Sequence, residues 1–195
     1  MVNITTLAAQ LGATLKAQNL TLVLSESCTG GMVSQAVTSI SGSSAWFDRA
    51  FITYSNQSKM DCLQVLSATL EQFGAVSEQV AVEMALGNIN GVLTNDKNDT
   101  LGIDQEKSSR LVGASITGIA GPIAVNKKLT INLSINLANK SSADKNQEKP
   151  VGLVCFGFVV KNKVSSSTQH FKGTRRQIRL QATQYVITQL IKLLH

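Results

Sequence analysis

Apolar residues along this chain follow two periodicities that alternate from one end to the other. Leu7, Leu11 and Leu15 recur every four residues, which predicts an amphipathic helix over the first ~15 residues. Leu20 to Leu24 is a short β-prone run and reads as a strand. It leads straight into Ser25-Glu26-Ser27-Cys28-Thr29-Gly30-Gly31, after which Met32, Val33, Ala36, Val37 and Ile40 mark one face of a helix. Phe47 to Tyr54 predicts a second strand. Helical stretches follow from Gln57 to Val65 and from Ser77, a good N-cap, to Ile89. Polar residues between Thr94 and Arg110 predict a loop. Leu111 to Ile116 returns to strand character and ends in the small-residue turn Thr117-Gly118-Ile119-Ala120-Gly121-Pro122. Residues 123–150 are rich in Asn, Lys and Ser and predict a long surface excursion, with Thr130 to Leu137 as an edge strand inside it. Val151 to Val160 reads as the most buried strand and Lys163 to Phe171 as its antiparallel neighbour. The last helix starts near Thr174, with Ile178, Ala182, Tyr185, Val186, Leu190 and Leu193 in one apolar stripe. Alternation without repeat or linker predicts one α/β domain over residues 1–195, with surface insertions near 95–110 and 123–147.

Composition narrows the class. At 43% apolar and 15% charged residues, the chain is too hydrophobic and too sparsely charged to be disordered over most of its length. No stretch approaches the ~20 apolar residues that a bilayer requires. The N-terminus shows no basic region followed by an apolar core, so no signal peptide is expected. Cys28, Cys62 and Cys155 lack the spacing of a metal site and read as reduced thiols of a cytoplasmic protein. No metal or cofactor is expected.

Charge is unevenly placed. Residues 1–93 hold three basic and six acidic side chains, whereas residues 161–195 hold seven basic ones and no acid. That last segment alone exceeds the net charge of +6 for the whole chain. It suits an anionic ligand near the C-terminal helix, either a nucleic acid or a small phosphate, and it equally suits a solvated basic face. Against nucleic acid, no helix-turn-helix, RNP or zinc signature is visible, and aromatic residues are too few for a stacking platform.

Two segments offer chemistry and a third offers anion binding. A nucleophile between a strand end and a helix N-terminus gains N–H donors and the positive end of a dipole, and Gly30 and Gly31 allow close approach to a ligand. Ser27 and Cys28 both qualify. The same pattern also fits helix capping, a core cysteine and packing glycines. Histidine is nearly absent, so a Ser-His-Asp triad lacks raw material. The other route to an active serine is a lysine held neutral by its surroundings and assisted by a tyrosine. Thr53-Tyr54-Ser55-Asn56-Gln57-Ser58-Lys59 supplies both at a strand-to-helix junction; an interfacial tyrosine beside a solvated lysine would look the same. In Gly173-Thr174-Arg175-Arg176, two cations occupy a first helical turn, where each opposes the dipole by roughly 0.3–1 kcal/mol. An anion seated there would explain them, and so would two arms pointing into solvent.

At this level the sequence resembles a known family, the C-terminal domain of the competence/damage-inducible protein CinA, whose members are nicotinamide-nucleotide amidases. The resemblance rests on seven segments in order. They are Glu-Ser-Cys-Thr-Gly-Gly at 26–31, Gly-Ser-Ser-Ala-Trp-Phe at 42–47, Thr-Tyr-Ser-Asn at 53–56 with Lys59, and Gly-Ala-Val-Ser-Glu at 74–78. Thr-Gly-Ile-Ala-Gly-Pro at 117–122, Glu-Lys-Pro-Val-Gly at 148–152 and Phe-Lys-Gly-Thr-Arg at 171–175 complete the set. Together they span nearly the whole chain apart from the two insertions.

The resemblance implies a three-layer α/β/α fold around a mixed sheet, without metal or cofactor. It also implies hydrolysis of nicotinamide mononucleotide to nicotinate mononucleotide and ammonia, a step of NAD salvage. Ser27 matches the family nucleophile, and Tyr54 and Lys59 match its activating pair. Gly30, Gly31, Ser44, Thr117, Gly118 and Arg175 match substrate-binding positions. A homodimer and a small nucleotide substrate are the expected partners, and the extra N-terminal domain of larger members is not expected here. One departure stands out: 25 residues separate Pro122 from Glu148, where the family has a short glycine-rich loop. If that insertion remodels the pocket, the chain would be a binding or regulatory member instead of an amidase.

Overall fold

The computed structural model describes residues 3–93, 108–121 and 149–195. Helix α1 (Ile4–Ala17) begins at Asn3, whose side chain accepts from the Thr5 N–H, and turns Ala8, Leu11 and Leu15 inward. Strand β1 (Thr21–Glu26) follows, then α2 (Met32–Thr38), a single 3₁₀ turn at Ser43–Ala45, β2 (Phe47–Ile52) and α3 (Asn56–Leu63). After α4 (Ser67–Phe73) and α5 (Glu78–Leu93) come β3 (Leu111–Gly118), β4 (Leu153–Val160), β5 (Lys163–His170) and α6 (Arg175–Leu194).

The five strands form one mixed sheet in the order β2-β1-β3-β4-β5. β1 is parallel to both β2 and β3, whereas β3–β4 and β4–β5 are antiparallel. The carboxyl ends of β1, β2 and β3 therefore open at one edge, where β5 also hands over to α6. This is where an open α/β sheet places a site.

The two sheet faces are built differently. Leu22, Leu24, Val112, Ile116 and Phe156 meet α1, α2 and α6 in a mainly apolar layer. Under α5 the sheet presents Ser25, Gly113, Ser115, Thr117 and Gly157. A Cβ on Gly157 would lie 2.3 Å from the Ala81 carbonyl, so α5 rests almost directly on the sheet backbone. Hydroxyls stitch it there: Ser25 donates to the Met84 carbonyl and Ser115 to that of Ala81. Helices α3 and α4 pack on α5 around Leu63, Leu70 and Met84. Helices thus lie on both faces, giving the expected three-layer α/β/α architecture.

Three details depart from the sequence reading. Helix α4 was not expected, because Leu70 is its one buried residue and no apolar stripe announces it. Its start is held by a distant group, Glu83 of α5, which accepts from the Leu66 N–H at 2.9 Å. Val151 precedes the buried strand instead of joining it, and Leu193 lies outside the apolar stripe; both are exposed. The expected edge strand at 130–137, the 123–147 insertion and most of the 94–110 loop lie outside the described residues. No helix among the described residues is long and apolar enough to cross a membrane.

Candidate active site

Strand β1 ends at Glu26, and Ser27 is the first residue beyond it. A closed ring of hydrogen bonds fixes this position. The Thr53 N–H, just past β2, donates to the Glu26 carbonyl at 2.9 Å. The Lys59 Nζ reaches the Thr53 carbonyl at 2.7 Å and the Ser27 Oγ at 3.2 Å, and the Ser27 N–H donates to the Ile116 carbonyl of β3 at 2.9 Å. Lys59 is aimed inward because Ser55 and Ser58 form a capping box that starts α3 one turn earlier. It is 1% exposed, and burial pushes its ammonium down to about 8. A lysine that loses its proton near neutrality has a lone pair available for a serine hydroxyl.

Ser27 and Lys59 open into a cleft of about 530 Å³. Cys28 also lines it, but burial raises that thiol to about 12, so it stays protonated and is a poor nucleophile. Of the two neighbours, Ser27 holds the base.

The glycines after them do something other than the sequence suggested. Neither Gly30 nor Gly31 lines the cleft. Both adopt left-handed backbone, at φ 56° and 89°, which lets the chain reverse into α2. The Gly30 N–H closes the turn onto the Ser27 carbonyl at 3.1 Å. The Gly31 N–H donates to the Glu26 carboxylate at 2.9 Å, joined by the N–H groups of Val33 and Ser34. A fully buried carboxylate of the protein therefore fills the anion site at the start of α2. The cradle is real, and its ligand is Glu26.

Other expected residues divide similarly. Gly118 and Thr117 are in the cleft wall, but the Thr117 hydroxyl donates to the Ala75 carbonyl at 2.8 Å and so braces the opposite wall. Lys149 braces the same wall through the carbonyls of Phe73 and Val76, and burial lowers its ammonium below the usual lysine value. Ser44 is not brought to the site. It is exposed in the 3₁₀ turn before β2, at the amino end of the sheet, a strand's length from Ser27. Tyr54 lines the mouth of the cleft at 62% exposure, and its hydroxyl accepts from the Arg175 guanidinium at 2.9 Å.

Arg175 opens α6, whose N-cap Thr174 forms a capping box with Gln177. It faces the cleft and meets no carboxylate among the described residues. Arg179, one turn on, donates to the Thr29 carbonyl. Sequence reasoning missed both Glu26 and Arg179. A glycine at the N-cap of α2, with no capping side chain, was the available signal for the first. The four-residue spacing from Arg175 was the signal for the second.

Known proteins match this chain over most of its length. The family model described as CinA C-terminal domain matches residues 4–139 and 124–194. A protein of Enterobacter agglomerans named nicotinamide-nucleotide amidohydrolase PncC is 44% identical over 177 residues, covering 90% of this chain and 86% of that one. The protein of the same name from Escherichia coli (strain K12) is 37% identical over 185 residues, covering 94% and 90%. The crystal structure of competence/damage inducible protein CihA from Agrobacterium tumefaciens superposes with a TM-score of 0.73 at 32% identity, covering 100% of this chain and 98% of that one. With both sequence and architecture matched over nearly its full length, this chain belongs to the CinA C-terminal domain family.

Proposed function

We propose that this chain is a nicotinamide-nucleotide amidohydrolase that converts nicotinamide mononucleotide to nicotinate mononucleotide and ammonia through Ser27. The observation that carries the reading is the Ser27 Oγ–Lys59 Nζ contact of 3.2 Å inside a cleft whose rim bears Arg175. The names of the relatives, at 37–44% identity, support the substrate.

In the first half-reaction neutral Lys59 takes the Ser27 proton as Oγ attacks the carboxamide carbon. The tetrahedral adduct then expels the amide nitrogen, which leaves as ammonia with the proton that Lys59 returns. In the second half Lys59 takes a proton from water as the water oxygen attacks the ester carbon, and then gives that proton to the departing Ser27 Oγ, which restores both residues and releases the acid product. The Thr53 carbonyl holds Nζ in place through both halves. Arg175 takes the phosphate of the nucleotide, as a guanidinium at the start of a helix suits a dianion. Tyr54 is assigned to the same machinery through its bond to Arg175 and its place at the mouth of the cleft.

The reading includes a cytoplasmic location and a homodimer; fractionation of cells checks the first and sedimentation of the purified chain the second. The decisive assay is ammonia release from nicotinamide mononucleotide, nicotinamide riboside and free nicotinamide in parallel. Turnover of the nucleotide well above the other two supports the reading, and absence of ammonia from all three refutes it.

A further inference from the structure

Arg179 lies outside the cleft wall, yet it reaches the nucleophile's turn from behind. The group it binds, the Thr29 carbonyl, belongs to the peptide unit that also contains the Gly30 N–H. That N–H donates to the Ser27 carbonyl at 3.1 Å. One peptide plane is thus held at both ends, by Arg179 on its oxygen and by Ser27 on its nitrogen. Glycines in left-handed backbone at 30 and 31 would otherwise leave this plane free to rotate. Rotation would break the bond to Ser27 and shift its Oγ relative to the Lys59 Nζ.

The arm runs close over Gly30, where a Cβ would lie 3.4 Å from the Arg179 Nη2, at ordinary contact distance. Arg179 has no carboxylate partner among the described residues, and its Nε is buried without a hydrogen-bond partner. An ion pair therefore does not account for its place. Elsewhere on the inner face of α6, Ile178, Ala182 and Val186 pack on the sheet, and the buried Thr183 hydroxyl donates back along the helix to the Arg179 carbonyl at 2.9 Å. Arg179 is the polar link from the C-terminal helix to the catalytic turn.

We propose that Arg179 is a positioning residue that locks the Thr29–Gly30 peptide and so holds Ser27 in register with its base. This rests on Ser27 being the nucleophile. Two arginines one turn apart on α6 then have separate tasks: Arg175 recognises the substrate, and Arg179 keeps the enzyme's own backbone in place.

The test compares Arg179→Met, Arg179→Lys, Arg175→Ala and Ser27→Ala, with kcat and KM measured for both nicotinamide mononucleotide and its riboside. Arg179→Met is expected to lower kcat about 10- to 100-fold for both substrates, the usual effect of a small misplacement, with KM within about twofold. Arg179→Lys keeps one donor and is expected to fall between it and the wild type. Millimolar guanidinium is expected to restore part of the activity of Arg179→Met. If Arg179→Met does not fold, the kcat of Arg179→Lys carries the test. A rise in KM confined to the nucleotide would make Arg179 a phosphate ligand and overturn the proposal. Wild-type kcat in both Arg179 variants overturns it too, as does an equal loss in both that guanidinium leaves untouched. An active Ser27→Ala would remove the functional reading and this inference together. An inactive Ser27→Ala with fully active Arg179 variants removes the inference alone.

Discussion

Two helix starts frame the cleft, and they meet their surroundings in opposite ways. At α2 the free N–H groups are covered from within by the Glu26 carboxylate, deep in the protein and closed to any ligand. At α6 a capping box satisfies the backbone, while Arg175 and Arg176 add positive charge on an exposed surface. A buried helix start is neutralised by the protein itself, and an exposed one is left cationic. On the reading proposed above, the first fixes the position of the nucleophile and the second receives the phosphate of the substrate, so that chemistry and recognition fall to different helices.

The sharpest way to test this division is at the chemical end. Ser27→Ala is expected to lower kcat by several orders of magnitude for nucleotide and riboside alike, about the loss seen when a covalent nucleophile is removed. Cys28→Ala should keep most of the activity. Steady-state ammonia release checks both, and the reverse pattern would move the nucleophile to the thiol.

Removal of the base ranks next. Lys59→Met is expected to cost about 10²–10⁴-fold, the usual contribution of a positioned general base. In the wild type the chemical step should accelerate as pH rises toward about 8, where Lys59 gives up its proton. A single-turnover pH profile checks this, and the ionisation must vanish in Lys59→Met.

Arg175→Ala probes the recognising end. Loss of a charge-assisted bond contributes roughly 1.5–3 kcal/mol, so KM for the nucleotide should rise about 10- to 100-fold. The riboside has no phosphate and should be unaffected. Equal losses for both substrates would dissolve the division between the two helices.

Glu26→Gln would blur the contrast from the other side, with the smallest expected effect. Glutamine keeps the volume of the side chain but removes the charge that faces the start of α2, so the variant should lose roughly 0.3–1 kcal/mol of stability. Urea denaturation of both proteins at pH 7 checks this. An unchanged midpoint would mean that Glu26 does not serve as the anion of α2.

Most of the fold was legible because most of its elements advertise themselves locally. The spacing of Leu7, Leu11 and Leu15 and the capping signal at Thr174 depend only on near neighbours, and both α1 and α6 formed where expected. Helix α4 was not legible, since what holds its start is a carboxylate 17 residues away in the chain. The site divides along the same line. Ser27 and Lys59 were visible as residue types at a junction, and the structure brings them together. The role of Glu26 was hidden because Gly30 and Gly31 look equally ready for a substrate. Only the path of the chain shows that a carboxylate already lies beneath them. The distance of Ser44 from Ser27 was not legible for a plainer reason: a motif position says nothing about which end of a parallel sheet it lands on.

The burial of Lys59 has a thermodynamic consequence for the whole molecule. Its pKa falls from 10.5 in the unfolded chain to about 8 in the folded one. Below pH 8 both states hold the proton, and the native state bears the full penalty of an enclosed ammonium. At 1.36 kcal/mol per unit that penalty is about 3 kcal/mol. Between pH 8 and 10.5 the unfolded chain binds the extra proton, so the stability contributed at this position rises with pH until the penalty is gone. Urea titrations across that range should show the wild type gaining stability relative to Lys59→Met, and parallel curves would contradict it. A protein of this size is stable by only about 5–15 kcal/mol. At neutral pH, then, burial of Lys59 offsets a sizeable part of that margin, and the sheet and helices around it hold the lysine in place against its own preference for water.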